Sequence, residues 1–413
     1  MSWVFVPFQL LSVALAWAVL VLFVEIVAAH FERKGAATRE GARPRVVVLI
    51  PAHNESHGIV PTIGDIRSQL GSGDRLLVVA DNCSDDTAEV ALASGAEVIR
   101  RNDAQHRGKG FALDFGLRSL AADDPEIVII IDADCRVEDG AIDTLARVCS
   151  ATQRPIQGMY RMSAPPGAAV NHQIAEFAWR IKNDLRPRGL RALGLPCQLM
   201  GSGMAFPRCA LASVNIASGH LTEDLELGLL LASAGQAPLF CPAAQVRSVF
   251  PLTAAAARSQ RQRWEHGHLA ILIRRLCPLM GRALAQRNRD LLALSLDAAV
   301  PPTVLLGLLT LTLDIAAVLD EDLGTLGDLL TARRDGLDST AEGGDHLAEV
   351  GERQLGTQDE IHELTALTKR SEPTRLELRI DLVGADGVAR DEGDEFVAQT
   401  DLLLKQAYTL LRS

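Results

Sequence analysis

A doubly wound α/β sheet is expected from three observations on this 413-residue chain. Short β-favouring apolar runs alternate with helical patterns from Val46 onward. Polar residues close most of those runs, and the strongest run, Ile127 to Ile131, ends directly on Asp132-Ala133-Asp134. Strict strand and helix alternation implies parallel strands with right-handed crossovers and a binding crevice at their carboxyl ends. Val46 to Ile50 reads as the first strand, Leu76 to Ala80 as the second, Ala96 to Ile99 as a weaker third and Ile127 to Ile131 as the fourth. Helices are predicted near Ile59 to Leu70, Asp85 to Ser94, Gly110 to Leu120 and Gly140 to Ser150.

The acid pair carries the first chemical information. Side chains alternate along an extended chain, so Asp132 and Asp134 point the same way while the small Ala133 stays clear. Two carboxylates facing one cleft suit Mg²⁺ or Mn²⁺, a cation that completes its shell with phosphate oxygens, which implies a nucleotide diphosphate ligand. Taken alone, the triplet is as well explained by a solvated turn. Two more strand ends bring polar residues to the same rim, Pro51 to Glu55 and Asp81 to Thr87. Asp85, Asp86 and Thr87 suit a helix start, where acids and hydroxyls satisfy free N–H groups. Asp81 ends its strand before that turn and can accept hydrogen bonds from a nucleobase edge. In Arg107-Gly108-Lys109-Gly110 the glycines permit close backbone approach and a cation can meet phosphate, although a surface turn explains this tetrapeptide equally well. Neither a Walker pattern nor Gly-x-Gly-x-x-Gly occurs, which disfavours an ATPase or a dehydrogenase.

Further along, Thr222-Glu223-Asp224 precedes the apolar stretch Leu225 to Leu231. The acids either cap that helix or, kept ionised by its N-terminus, stand ready to accept a proton. Gln260, Arg263 and Trp264 share one helical face, offering an amide, a phosphate-matching guanidinium and a flat surface for a sugar ring. Solvation alone would explain the charge on an arbitrary Arg-rich helix. His266 and His268 lack a third ligand at useful spacing and read as polar helix residues. The segment Cys197 to Gly203 reads either as core or as a strand and turn along an acceptor path.

Together, Asp81, Asp132-x-Asp134, Thr222-Glu223-Asp224 and Gln260-x-x-Arg263-Trp264 resemble family 2 glycosyltransferases of the cellulose synthase, hyaluronan synthase and poly-N-acetylglucosamine synthase type. The resemblance covers roughly Arg45 to Val300 with the motifs in family order. It implies the GT-A fold and an inverting transfer of sugar from a nucleotide sugar, commonly a UDP-sugar. By the same resemblance, Asp81, Glu55, Lys109 and Asp132 would bind the donor nucleotide, and Asp134 with Asp132 would hold Mg²⁺ or Mn²⁺. Asp224 would be the catalytic base. Glu223, Gln260, Arg263 and Trp264 would serve the acceptor and the diphosphate.

Residues 1–30 read as a transmembrane anchor, because Met1 to Val24 carries no charge and about 20 apolar residues span a bilayer. No basic segment precedes it, so a cleaved signal peptide is not expected. Arg33, Lys34, Arg39, Arg43 and Arg45 follow it, which places the catalytic domain, residues 45–275, on the cytoplasmic side of the cell membrane. Residues 276–319 read as an interfacial helix followed by a second membrane segment at Ala298 to Leu313. The basic run from Arg247 to Arg289, with Glu265 as its expected counter-charge, reads as a contact with anionic lipid. A second such contact is expected at Arg180, Lys182, Arg186, Arg188 and Arg191, interleaved with Phe177, Trp179, Leu185 and Leu190. No nucleic-acid recognition module is visible, so nucleic acid is not an expected partner.

Residues 320–413 hold 22 of the 52 acids but 10 of the 41 bases, so the net charge of -11 belongs to this tail. It reads as largely disordered, with a strand at Leu376 to Leu382 and a helix near Phe396 to Leu411, or as a foreign end. Seven isolated cysteines without Cys-x-x-Cys fit a reducing compartment. The expected function is membrane-bound sugar transfer to a polysaccharide or lipid-linked acceptor in exopolysaccharide or envelope synthesis. The channel helices of processive relatives are not seen after Leu319, so an export-channel partner is expected for polymer secretion. Rival readings are a ceramide or polyprenyl-phosphate glycosyltransferase and a non-catalytic nucleotide-binding scaffold of an export complex.

Overall fold

The computed structural model describes residues 5–32, 42–121, 125–168, 170–217, 223–251 and 253–314. After an apolar helix, α1 (Phe5–Ala29), come β1 (Val46–Ala52), α2 (Ile59–Arg67), β2 (Arg75–Asp81), α3 (Thr87–Ala93), β3 (Glu97–Arg101), α4 (Lys109–Ser119) and β4 (Ile127–Ile130). These strands lie parallel, β1 between β2 and β4, with β3 outside β2. Alternation splits their side chains between two cores. Val46, Val48 and Ile50 pack with Ile59, Ile63 and Ile66 of α2, whereas Val47 and Leu49 pack with Leu113 and Leu117 of α4. Every residue of β4 is buried, as a parallel strand covered on both faces requires.

Beyond β4 the sheet is mixed. The next elements are β5 (Arg136–Val137), α5 (Ala141–Thr152), β6 (Ile156–Ser163) and α6 (Val170–Arg180). A π-turn (Ile181–Leu185) joins α6 directly to α7 (Arg186–Ala192), and β7 (Met204–Pro207), α8 (Arg208–Ala212), α9 (Glu223–Ser233) and β8 (Leu239–Val249) follow. Strand β7 runs antiparallel to both β4 and β6, and β8 pairs with β6 in parallel and with β5 antiparallel. The α/β reading therefore holds throughout, but the all-parallel winding stops where β7 returns alongside β4. The described helices after the sheet are α10 (Ala254–Arg274), α11 (Leu276–Ala285), α12 (Arg289–Ala298) and the stretch Thr303–Asp314.

In α1 the 21-residue stretch Gln9–Ala29 is long and apolar enough to cross a membrane. Most of its large side chains are exposed, while Leu15, Ala18 and Glu25 are buried. That inner face meets α7 at Gly189, where a Cβ would lie 1.8 Å from the Glu25 carbonyl oxygen. Beside it the Arg186 guanidinium donates to Glu25 Oε2 at 2.6 Å and to Asp297 Oδ1 at 2.5 Å, joining α1, α7 and α12 through one buried ion triad. At the end of the helix, Glu32 accepts from Arg188 and Arg191, each at 2.6 Å. Helix α12 and Thr303–Asp314 satisfy the length and apolarity of a span only as a pair bent by 64°.

These contacts correct two expectations about lipid. Among the five bases of the second predicted contact, Arg186, Arg188 and Arg191 are spent on ion pairs with acids of α1 and α12 or of the segment after α1. Lys182 lines the large cleft of the molecule, and Trp179 packs against Tyr160, Phe250 and Trp264. Glu265 is not the only counter-charge of the later basic run, since Arg247 pairs with Glu138 and Arg275 with Glu226. Acids distant in sequence supply these partners, which a local charge reading does not register. Arg43, too, pairs with Asp74 at 2.6 Å. Arg33, Lys34, Arg39, Thr222 and the acidic tail 320–413, with its expected strand and helix, lie outside the described residues.

Overpacking a helix contact costs about 1–3 kcal/mol, and more where backbone must move. Gly189→Ala is expected to lower the thermal midpoint of the detergent-solubilised protein and to speed proteolysis between α1 and β1; an unchanged melt and digestion pattern would refute the close approach.

Candidate active site

The rim of the sheet is built where β1, β2 and β4 end. The ladder from β4 continues one step, with the Ile131 N–H donating to Leu49 O at 3.2 Å, and the chain then turns sharply through Asp132 to Cys135. The buried Thr62 hydroxyl of α2 holds this turn, lying 2.7 Å from Ala133 O and 2.6 Å from Cys135 O. Asp134 is steadied by the Ser248 hydroxyl at 3.4 Å. Opposite Asp134 stands Glu55. A Cβ on Gly58 would meet Glu55 Oε2 at 3.2 Å and Asp134 Cβ at 3.8 Å, so the two acids flank the same small space.

Lys109, first residue of α4, forms a close ion pair with Asp132 and donates to Gly201 O at 2.7 Å. Gly201 has φ +94°, and a Cβ there would meet Asp224 Oδ2 at 3.5 Å, Lys109 Nζ at 3.7 Å and Asp132 Oδ2 at 3.8 Å. The absence of a side chain at this left-handed position thus keeps open the space between the acid pair and Asp224. Asp224 lies in the first turn of α9, where its Oδ1 accepts from the Leu225 N–H at 2.9 Å. Its other oxygen faces Gly201.

Glu55, Asp81, Lys109, Asp132, Asp134, Glu223, Asp224, Gln260, Arg263 and Trp264 all line one cavity of about 640 Å³. Every residue assigned to the site from sequence is therefore brought together. Asp81 turns out to be partly engaged: its Oδ1 accepts from the buried Arg101 guanidinium at 2.7 Å and from Asn82 Nδ2 at 3.0 Å. Trp264 has Trp179 against it at 5.0 Å, so part of its surface belongs to an aromatic wall. Sequence reasoning missed Lys182, Asn183, Arg186 and Asp297 as lining residues, because their place depends on how distant helices fold back over the sheet, whereas Gln198 to Gly201 line the cavity from the segment read as either core or acceptor path. The buried His268 Nε2 is 2.9 Å from Ala298 O, a structural contact, as its solitary spacing implied.

Crowding shapes the protonation of these groups. Burial, then the neighbouring Asp134 and Asp132, push Glu55 up to about 7. Burial likewise raises Glu223 to about 7, against the pull of Lys109 and with the repulsion of Asp224. Although burial disfavours the Lys109 ammonium, Asp132 and Glu223 hold it charged. Among the described residues no three His, Cys, Asp or Glu side chains form a ready-made metal cage.

Glycosyltransferase like family 2 matches residues 44–267 of the chain, more than half of its length. The chain belongs to this family. This glycosyltransferase is 40% identical over 204 residues to glucosyl-3-phosphoglycerate synthase of Mycobacterium tuberculosis, a match covering 45% of this chain and 60% of that protein. It is 25% identical over 287 residues to a probable glycosyltransferase of Bacillus subtilis, covering 64% and 66%. Among solved structures, a mannosyltransferase from Pyrobaculum calidifontis in complex with GDP-Man and Mn²⁺ aligns with a TM-score of 0.45 and 16% identity, covering 74% of this chain and 92% of that one. The mixed sheet described above is the GT-A fold of this family.

A carboxyl whose folded pKa is raised holds its proton more tightly folded than unfolded, so stability falls as pH rises from the ordinary value to the raised one. For Glu55 and Glu223 that window runs from 4.5 to about 7. The ligand-free glycosyltransferase is expected to lose thermal stability across it. Glu55→Gln should flatten the decline relative to wild type, and parallel profiles for the two proteins would contradict the crowding.

Proposed function

We propose that this chain is a membrane-anchored, inverting glycosyltransferase that moves a sugar from a nucleotide sugar, a UDP-sugar by the family resemblance, to a polysaccharide or lipid-linked acceptor. One observation carries the reading: the acid pair after β4, the Asp224 carboxylate and the Gln260, Arg263 and Trp264 face of α10 line a single cavity. Helix α1 packs beside that cavity, which supports an acceptor drawn from the membrane.

The chemistry follows from what each group can do. Inversion in one displacement requires an acceptor hydroxyl to attack the anomeric carbon opposite the leaving diphosphate. The new carbon–oxygen bond forms as the bond to phosphate breaks, and the electron pair leaves with the nucleoside diphosphate. Asp224, in the first turn of a helix and with one oxygen turned to open space, takes the hydroxyl proton. Lys109 and Arg263 are placed to offset the charge growing on the leaving group. Asp81 and Glu55 take the nucleotide end, and Glu223, Gln260 and Trp264 the acceptor and diphosphate end.

A divalent cation fits the residues present. Glu55, Asp132 and Asp134 share one rim, and besides burial the two aspartates help raise Glu55, a local excess of negative charge that Mg²⁺ or Mn²⁺ would relieve. Asp134 with Asp132 would hold it, and it would supply electrostatic stabilisation of the departing diphosphate.

Purified full-length protein in a membrane mimic, given Mg²⁺ or Mn²⁺, a panel of UDP- and GDP-sugars and extracted lipid, is expected to release nucleoside diphosphate from one donor. Asp224→Asn should keep nucleotide affinity while transfer falls by about 10²- to 10⁴-fold; normal turnover would remove Asp224 from its role. Asp134→Ala should abolish metal-dependent binding of UDP in calorimetry, and an unchanged titration would defeat the metal assignment.

A further inference from the structure

The same cavity has a further stretch of wall to which the proposed donor and base roles give no part. There the π-turn between α6 and α7 presents Lys182 and Asn183. A π-turn places an extra residue in a helix and is often found at functional sites. The charged groups that act on Lys182 are Asp224, Arg186 and Asp297, whereas those that act on Lys109 are Asp132, Glu223 and Asp224. Both lysines therefore feel Asp224, Lys109 together with Asp132 and Glu223, Lys182 together with Arg186 and Asp297.

They also differ in what holds them. Lys109 is committed to Asp132 and Gly201, and Arg186 to Glu25 and Asp297. Lys182 has no hydrogen bond or ion pair among the described residues, and its side chain remains open to the cavity. Next to it, Asn183 is 2% exposed and its Nδ2 has no partner. Gln198 donates to Leu294 O at 2.8 Å and leaves Oε1 unpaired in the same wall. An unpaired cation open to the cavity beside a buried, unsatisfied amide donor is a ready site for an anion, since leaving the buried donor unpaired is costly. Pro187, Leu190 and Ala298 add an apolar surface, and Arg186 in that wall is the residue bolted to α1.

We propose that this stretch of the cavity wall binds a phosphate group carried by the acceptor, with Lys182 as its cation and Asn183 as a second donor. The proposal rests on the glycosyltransferase reading above and names the class of acceptor. Phosphate on a membrane lipid and phosphate on a soluble sugar or acid share this chemistry, and the two sources separate experimentally.

Full-length protein in nanodiscs is first saturated with UDP and Mg²⁺, which fills the donor subsite; failure at this step would count against the donor reading alone. The UDP-saturated protein is then titrated with inorganic phosphate, and in parallel reconstituted with or without a polyprenyl phosphate, following ³¹P line width. Saturable phosphate binding that weakens at least tenfold in Lys182→Gln and persists in Lys182→Arg, with UDP affinity unchanged, is the expected result. Tighter binding of the lipid identifies a membrane acceptor, and comparable binding of inorganic phosphate a soluble one. On wild-type protein, phosphate should also shield Lys182 from amine acylation, read by mass spectrometry. Absence of saturable phosphate binding, an affinity indifferent to Lys182→Gln, or acylation unaffected by phosphate would overturn the proposal.

Discussion

Five carboxylates, those of Glu55, Asp132, Asp134, Glu223 and Asp224, converge on one rim, and the Lys109 ammonium is the counter-charge that lets them remain there. Its close pair with Asp132 and its bond to Gly201 O connect the start of α4 to the end of β4 and to the loop before β7. Those segments carry the two halves of the site. The parallel half of the sheet delivers Glu55, Asp81 and the acid pair, and the mixed half brings Gly201 and Asp224 to meet them. Burial first, and then the neighbouring acids that Lys109 does not offset, raise Glu55 and Glu223 to about 7. A site in this condition favours a ligand that arrives with a cation.

Much of this could be read from the residues alone. The predicted runs at Val46, Leu76, Ala96 and Ile127 became β1 to β4 within one or two residues, because all but the run at Ala96, which Glu97 interrupts, are continuous apolar stretches ended by polar groups. The acid pair was legible for the same reason, as was Asp224 at the first turn of an apolar helix. What escaped was long-range. Short strands such as β5 and β7 carry too few residues for a period to show, and their antiparallel pairing is decided by partners far away in the chain.

The arginines make the same point from the opposite direction. Arg186, Arg188 and Arg191 look like a basic surface helix when only their neighbours are considered. Asp184 pairs locally with Arg188, but their other counter-ions are Glu25, Glu32 and Asp297, 111 to 161 residues distant, beyond the reach of local pattern. Lys182 was grouped with them by sequence and separated from them only by the π-turn, which sends it to the cavity while Arg186 turns to α1.

The junction between α1 and α7 bears on how the protein can be handled. An apolar N-terminal helix is commonly removed to obtain a more soluble protein, on the premise that it and the catalytic body are separate modules. Here, deleting α1 would strip Glu25 from Arg186 and uncover the groove that Gly189 keeps open. Arg186 would keep Asp297 as its acid, but the same guanidinium forms part of the cavity wall. A truncated enzyme would thus differ from the native one in the wall of the cavity itself, and ligand preferences measured on it would describe a different pocket.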